Sequence, residues 1–349
     1  MNFADVKEWR IPEGDVIRVT DSQNRVIWQK EGGPDYTEPF YVENITNNVE
    51  TLKFYQTDNT APNVTIQYST DKTSWLTLGN TYPYTKNNPL TKTLSSGEKI
   101  YLRSSINSWA DSHYGNKIIG MSKVGGNIMS LIYGRNFTGQ EITFPSSSTY
   151  NLSYLFGDEN SKLIDSSKLL LPAITLKRGC YEAMFSSCSL LTTTPALPAT
   201  TLAQSCYADM FFGCDSLTTT PALPATTLAR SCYNGMFASC DSLTTAPILP
   251  ATTLADYCYQ YMFRGCTSLT SAPSLPATAL TDYCYNNMFR ECTLLNEVTC
   301  YATSGINENS STTNWLSGVA STGTFTKAAG STWPTGTSGI PSGWTVVNV

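Results

Sequence analysis

The sequence predicts an α/β solenoid of strand-turn-helix repeats, preceded by an all-β sandwich-like domain and an N-terminal β-hairpin. The main observation is a motif, CYxxMFxxC, that returns at a constant step of 26 residues. Its copies begin at Cys180, Cys206, Cys232, Cys258 and Cys284. A Leu-Thr segment with two prolines, such as LTTTPALPATTL from Leu191, separates successive copies. A period of about 20–29 residues with leucines around a short β-like run is typical of leucine-rich repeats.

Each repeat has a physical interpretation as one strand, one turn and one helix. In the copy at Cys232, the residues Cys232, Tyr233, Met236, Phe237 and Cys240 fall within one arc of a helix and should be buried. The Leu-Thr segments cannot continue that helix, because their prolines lack the donor that a helix needs. We therefore expect a short extended segment there. Repeats of this kind bury their apolar faces by stacking on one another.

The LT-x-x-x-x-LP segment, followed by an aromatic pair and a Cys-x-x-L turn, resembles the BspA-like leucine-rich-repeat proteins of bacterial surfaces. The resemblance covers roughly Leu152 to the C-terminus and is more specific for fold than for function. It implies adhesion and the binding of host or cell-surface ligands.

Composition narrows the class of protein. Charged residues make up 14% of the chain, below the usual quarter, and the net charge is −5 with no basic tract. This argues against a nucleic-acid partner. No apolar run approaches the length of about 18 residues that a transmembrane helix needs. The N-terminal residues carry no apolar signal-peptide core, so we expect a protein that folds in the cytoplasm of a host and reaches the surface of a virion by lysis.

The N-terminal residues predict a hairpin, with apolar residues at Val16–Val19 and Val26–Trp28 around a polar turn. This stretch is similar to the short N-terminal module of virion proteins of gut bacteriophages, which implies an attachment role. An ordinary hairpin at a domain start is the alternative. A β-rich stretch follows, in which short strands are separated by turn residues, Val64–Ser69, Ser74–Leu78, Glu98–Ile106 and Asn127–Gly134 among them. We expect a spacer there, with carbohydrate binding as the alternative.

These patterns divide the chain into three regions. The predicted domains are an attachment hairpin at 1–31, a sandwich-like domain at 36–148 and a solenoid at 150–349, the last with a degenerate first repeat at 150–175, five Cys repeats at 180–299 and a C-terminal cap at 300–349.

All eleven cysteines lie between Cys180 and Cys300. Positions eight apart on a helix are separated by about 12 Å, beyond the roughly 7 Å that a disulfide spans. We therefore predict reduced, buried cysteines in two ladders, with no bound metal or other cofactor. Cys300 stands outside both ladders and is the candidate for a reactive thiol. His113 is the only histidine, so histidine-based catalysis would have to be built around it. We expect that the protein is not an enzyme. The alternative of a glycosidase stays open, because the sequence does not show which of the scattered carboxylates face each other.

Comparison of the repeats predicts one binding surface. The outward positions change along the repeats, and the last two copies carry two tyrosines and two arginines there. Tyr and Arg are enriched at binding hot spots. The candidate site consists of Tyr257, Arg264, Tyr283 and Arg290. Ordinary surface variation is the alternative.

Together these features predict a non-enzymatic bacteriophage virion protein associated with a fibre or tail. It would display its repeats to bind a bacterial surface ligand, and a glycan is the ligand that we expect. Expected partners are other virion proteins through the N-terminal module and a bacterial surface glycan or protein, with no membrane insertion and with a homo-oligomer possible. A cell-surface adhesin and a polysaccharide-degrading tail enzyme are the alternatives.

Overall fold

The fold was analysed in a computed structural model of the chain. It describes the backbone of three N-terminal strands and then residues 34–56, 65–79, 84–104, 116–145, 152–159 and 161–349. Within these residues the chain consists of strands and turns, with one short α-helix, α1 (Met129–Tyr133), and a 3-10 helix at Gly134–Asn136. The prediction of an α/β leucine-rich-repeat solenoid is therefore wrong, because none of the repeats contains a helix.

The N-terminal strands form a sheet of their own. They are β1 (Lys7–Arg10), β2 (Val16–Thr20) and β3 (Val26–Gln29). Their order is β1-β2-β3, and both pairings are antiparallel. The β2–β3 pair is the hairpin that the sequence predicted, and β1 adds a third strand.

Two further sheets follow, one with the strand order β10-β5-β8 and the other with the order β12-β11-β4-β9-β6-β7. Both contribute buried residues, such as Phe54 and Val42, to one hydrophobic cluster. The strands are β4 (Tyr41–Glu43), β5 (Glu50–Gln56), β6 (Ile66–Ser69), β7 (Leu76–Thr77), β8 (Leu90–Leu94), β9 (Lys99–Ser104), β10 (Asn116–Ile119), β11 (Lys123–Asn127) and β12 (Asp165–Leu170).

The apolar run at Asn127–Gly134 is not the strand that the sequence predicted. Strand β11 ends at Asn127, whose side-chain Oδ1 accepts a hydrogen bond of 3.0 Å from the backbone N–H of Met129, and α1 begins there. Residues Met129 to Ile132 are all buried. A run that is buried on every side has no periodicity, so it does not distinguish a short helix from a strand.

The repeats are built from overlapping turns. A residue with positive φ recurs at every fourth position, as at Ser205 (55°), Asp209 (51°) and Gly213 (66°) in the second copy. Left-handed residues at this spacing exclude a right-handed helix, which needs negative φ throughout.

Backbone hydrogen bonds in the repeats alternate between two kinds of partner. The N–H of Ala208 donates to the carbonyl of Ser205 (3.3 Å) and closes a local turn. The N–H of the preceding residue, Tyr207, donates to the carbonyl of Cys232 in the next copy (3.0 Å), and Asp209 donates to Asn234 in the same way (2.8 Å). In an α-helix these N–H groups would instead donate to carbonyl groups of the same helix. Here every second donor joins one copy to the next, so that the repeats form a continuous stack.

The Leu-Thr segments do not form the predicted strands. Neighbouring segments meet in single bridges, such as Thr175 with Thr201 and Thr227 with Thr253, and in isolated hydrogen bonds such as that from the N–H of Thr244 to the carbonyl of Thr218 (3.4 Å). Proline at two positions of each segment removes donors that a ladder would need, which limits the pairing to isolated contacts.

The buried side chains of the repeats are nevertheless the ones predicted. Cys232, Tyr233, Met236, Phe237 and Cys240 are each at most 1% exposed. The tyrosines of successive copies stack with ring centroids 5.7–6.2 Å apart, and the phenylalanines with centroids 5.3–5.8 Å apart.

Aromatic residues outside the five Cys copies extend the stack at both of its ends. At the first end, Phe156 occupies the position of Phe185, and its ring lies 5.8 Å from that of Phe40. At the other end, Trp315 stacks on Tyr285 and contacts Phe289. Three parallel strands then close the chain, and two of them lie in the predicted C-terminal cap at 300–349. They are β13 (Glu297–Cys300), β14 (Gly323–Lys327) and β15 (Trp344–Asn348).

Candidate functional site

The structure brings the two tyrosines of the predicted site together. Tyr257 and Tyr283 occupy the same position in adjacent copies, and their rings stack with centroids 4.6 Å apart and planes inclined by 6°. Both residues have left-handed backbone, with φ of 59° and 56°. Both side chains are half-buried, so part of each ring faces solvent.

A third residue completes this aromatic pair. The guanidinium of Arg230 lies over the ring of Tyr257, 4.4 Å from its centroid, and forms an ion pair with Asp256 at 3.4 Å. Sequence reasoning missed Arg230. The available signal was an Arg in one copy, two positions before its first cysteine, and an Asp at the same position of the next copy.

The two arginines of the predicted site are held by one carboxylate. Glu291 pairs with the Nε of Arg264 at 3.6 Å and with the Nε of Arg290 at 3.2 Å. Arg264 also lies over the ring of Tyr261 at 6.0 Å. Among the described residues no contact joins the arginine pair to the tyrosine pair. The predicted site is thus two neighbouring pairs on the same copies.

A ladder of amides runs along the outer face of these copies. Asn234 donates to Gln260 at 2.8 Å, and Gln260 donates to Asn286 at 3.2 Å. Asn286 donates in turn to the carbonyl of Ser310 at 3.3 Å. These amides precede Tyr261 and its counterparts by one residue. Asn286 is only 5% exposed, whereas Asn234 and Gln260 are half-buried, so these two amides present the remaining donor and acceptor capacity of the ladder.

The cysteines are structural. All eleven are free and buried, and this confirms the predicted burial. The argument from helical distances was wrong, since no helix is present. The second cysteine of each copy donates from its thiol to the carbonyl of a phenylalanine in the previous copy, as from Cys240 to Phe211 (3.1 Å) and from Cys266 to Phe237 (3.1 Å).

Cys300, the candidate for a reactive thiol, is fully buried. It lies in β13 with no exposed surface. Burial, with the proximity of Cys284, raises the pKa of its thiol to about 12. The thiolate is the nucleophilic form, so this residue should be inert at neutral pH.

Two carboxyl groups on the first copies have raised pKa values. Burial raises the pKa of Glu182 to about 7, with a further contribution from the charge of Asp209. Burial raises the pKa of Asp209 to about 6. Arg178 acts on Glu182 in the opposite direction. These groups lie on copies distant from Tyr257 and its neighbours.

The described part of the chain holds no group of three or more His, Cys, Asp or Glu side chains placed to bind a metal ion. His113, the one possible centre of histidine chemistry, lies outside the described residues. None of the described helices is long and apolar enough to cross a membrane. No protein-family model, curated protein or solved structure matches the chain.

Proposed function

We propose that this protein is a non-enzymatic component of a bacteriophage virion surface, in a fibre or tail, and that its repeat stack binds a bacterial surface glycan. The N-terminal sheet would attach to other virion proteins, and the β-rich region would act as a spacer. The observation that carries the binding proposal is the stacked pair of Tyr257 and Tyr283 on the outer face of the fourth and fifth copies.

The backbone conformation of these tyrosines supports a functional role. Left-handed backbone is unfavourable for a bulky side chain, and earlier copies carry Gly179, Ser205 and Ser231 at the same position. Residues in sparsely populated backbone conformations cost on the order of 1–3 kcal/mol each and cluster at active sites and ligand clamps. Two tyrosines at successive unfavourable positions are therefore better explained by binding than by stability.

The chemistry of the face suits a glycan. The faces of the Tyr257 ring contact Tyr283 and Arg230, so the half-buried pair offers its ring edges and its polar hydroxyl tips to a ligand. The half-buried amide of Gln260 keeps donor and acceptor capacity beyond its two ladder bonds and could bind sugar hydroxyl groups. Arg264 and Arg290 add directional donors at the edge of the same copies.

The repeats themselves supply the variants that test this site. Tyr257→Ser with Tyr283→Ser installs the residue that copies two and three already carry at that position. Arg264→Ala with Arg290→Ser does the same for the arginines, from Ala238 and Ser186. We expect each pair to weaken binding to purified host surface polysaccharide by about tenfold or more, because anchors of this kind contribute most of the binding energy.

The matched control is Phe212→Ser, which removes an aromatic side chain that is 40% exposed on the second copy. It should leave binding unchanged. Equal binding by the wild type and by both site variants would refute the proposed site.

The virion assignment needs a separate measurement. Mass spectrometry of purified phage particles should find peptides of this protein in stoichiometric amounts. Peptides found only in the surface fraction of uninfected host cells would refute it and favour the adhesin alternative.

A further inference from the structure

One cation on the six-stranded sheet is fixed by its neighbours. Arg103 lies in β9 opposite Gln67 in β6, on the strand face away from the buried Leu102. Its Nε donates a hydrogen bond of 3.0 Å to the Oε1 of Gln67, whose side chain belongs to a residue only 7% exposed. The guanidinium also lies over the ring of Trp75, 4.1 Å from its centroid. One edge and one face of this guanidinium are therefore occupied.

The platform beneath this arginine is itself fixed. Trp75 stands immediately before β7, which pairs with β6, and its indole N–H donates to the carbonyl of Lys72 at 3.1 Å. Gln67 lies in β6 and pairs with Thr77 of β7. The fold therefore sets the direction in which the remaining N–H groups of Arg103 point.

The remaining donors of Arg103 have no protein acceptor in the described part of the chain. A guanidinium carries five N–H groups, and four of them belong to the two Nη atoms. No carboxylate of the described residues forms an ion pair with Arg103 or with Arg135, which is exposed in the 3-10 helix packed against β9. Burial, together with the charge of Arg135, lowers the pKa of Arg103.

The 3-10 helix that carries Arg135 packs against β9, so two positive charges lie on contacting elements, and an anion bound between them would reduce their repulsion. An oriented guanidinium with a free Nη edge matches the two oxygens of a carboxylate or sulfate. Lys72 and Lys99 beside Tyr101 on the same face of β9 are both paired with Glu38, at 3.6 Å and 3.4 Å, which leaves Arg103 as the cation of that face without a carboxylate partner among the described residues.

We propose that Arg103 and Arg135 form a second binding site, which accepts the carboxylate or sulfate group of an acidic polysaccharide. The site would give the β-rich region a binding role in addition to that of a spacer. It is independent of the tyrosine pair on the repeat stack.

The test is titration calorimetry of the full chain at low ionic strength with a short galacturonate oligomer. Wild-type protein should bind it, and added salt should weaken the binding. Arg103→Gln with Arg135→Gln should lower the affinity by about tenfold or more, and Arg103→Lys should also lower it, because an ammonium cannot form the paired bonds. The control Lys53→Gln with Lys162→Gln removes the same charge at exposed positions elsewhere and should bind like the wild type.

Further probes distinguish the sources of the anion. A neutral galactose oligomer should not bind, whereas a sulfated oligosaccharide should compete for the site. Binding of inorganic sulfate without binding of either acidic oligomer would overturn the proposal, as would unchanged affinity in the arginine variants with unchanged thermal unfolding. The variant Tyr257→Ser with Tyr283→Ser should retain galacturonate binding, so failure of the site on the stack and failure of this site give different results.

Discussion

Left-handed backbone at every fourth position decides what the outer face of the repeats can carry. Small residues such as Ser205 and Gly213 fit these positions easily, and bulky residues fit them poorly. The change from Ser231 to Tyr257 at the same position of adjacent copies therefore places a bulky residue in unfavourable left-handed backbone, which costs conformational free energy. It marks the fourth and fifth copies as the part of the stack where side-chain chemistry outweighs backbone preference.

The same positions give a prediction about stability. Ser239 has φ of 56°, and its counterparts in adjacent copies are Gly213 and Gly265. Ser239→Gly should raise the free energy of unfolding by about 1 kcal/mol, because glycine adopts left-handed backbone without strain. Urea denaturation measures the change, with Ser242→Gly as the control that should not stabilise. Destabilisation by Ser239→Gly would contradict the left-handed assignment.

Glu182 and Asp209 predict that stability depends on pH. Their pKa values are raised in the folded protein to about 7 and about 6, above the usual range near 4. A carboxyl group with a raised pKa contributes stability that is fully present below its unfolded-state pKa. This contribution is lost as pH rises through the folded-state value.

We therefore expect the melting temperature to fall between about pH 5 and pH 8. Glu182→Gln should flatten this dependence, and the exposed Glu308→Gln should not. A melting temperature that rises over this interval in the wild type, with no effect of Glu182→Gln, would contradict this prediction. It would mean that ionisation of these carboxyl groups does not destabilise the folded protein.

At the scale of the element, the sequence predicts which residues are buried better than it predicts their conformation. Burial at positions 0, 1, 4, 5 and 8 of each copy is what a helix would produce, and a ribbon of turns with one left-handed residue in every four produces the same spacing. The left-handed positions carry Ser, Asp, Tyr and Asn as well as Gly, so they give no uniform signal. Helix was the more familiar interpretation of the pattern, and it was wrong.

The candidate site was predictable to the same partial extent. Tyr257 and Tyr283 are neighbours because stacking brings residues 26 apart into register, which the constant step already implied. Arg230 and Glu291 belong to other columns, and their contacts depend on the turn geometry. The cluster of Arg103 with Gln67 depends on strand register between β6 and β9, which no local pattern specifies.

The thiol ladders predict chemical inertness. All eleven cysteines are buried, and burial raises the pKa of Cys232 and Cys300 alike to about 12. A thiol-specific reagent such as Ellman's reagent should therefore find no fast-reacting group in the native protein, and eleven after unfolding. One rapidly reacting thiol in the native state, abolished by Cys300→Ser, would contradict the buried position of β13.

At the scale of the whole molecule, the β-rich region and the repeat stack share one core. Strand β12 lies beyond the predicted boundary near residue 150 and pairs with β11 of the six-stranded sheet. The column of phenylalanines passes from the repeats through Phe156 to Phe40. The first copies are thus supported by the sheets, and the last by Trp315.

A stack of this kind should tolerate the loss of one whole copy. Deletion of Cys206–Ser231 joins Ser205 to Cys232, which preserves the motif and lets Tyr233 replace Tyr207 beside Tyr181. We expect a folded protein with a lower melting temperature, since each copy contributes its own stability and one interface. Deletion of Cys206–Thr218, which puts half of one copy out of register, is the control and should abolish cooperative unfolding.

The central structural claim is that the repeats consist of turns that share their hydrogen bonds with the next copy. Far-UV circular dichroism of the full chain tests it most directly. The structure, with one five-residue α-helix in its described parts, predicts a spectrum without the paired minima of a helical protein. A strong helical spectrum, as five helical repeats would give, would contradict the account.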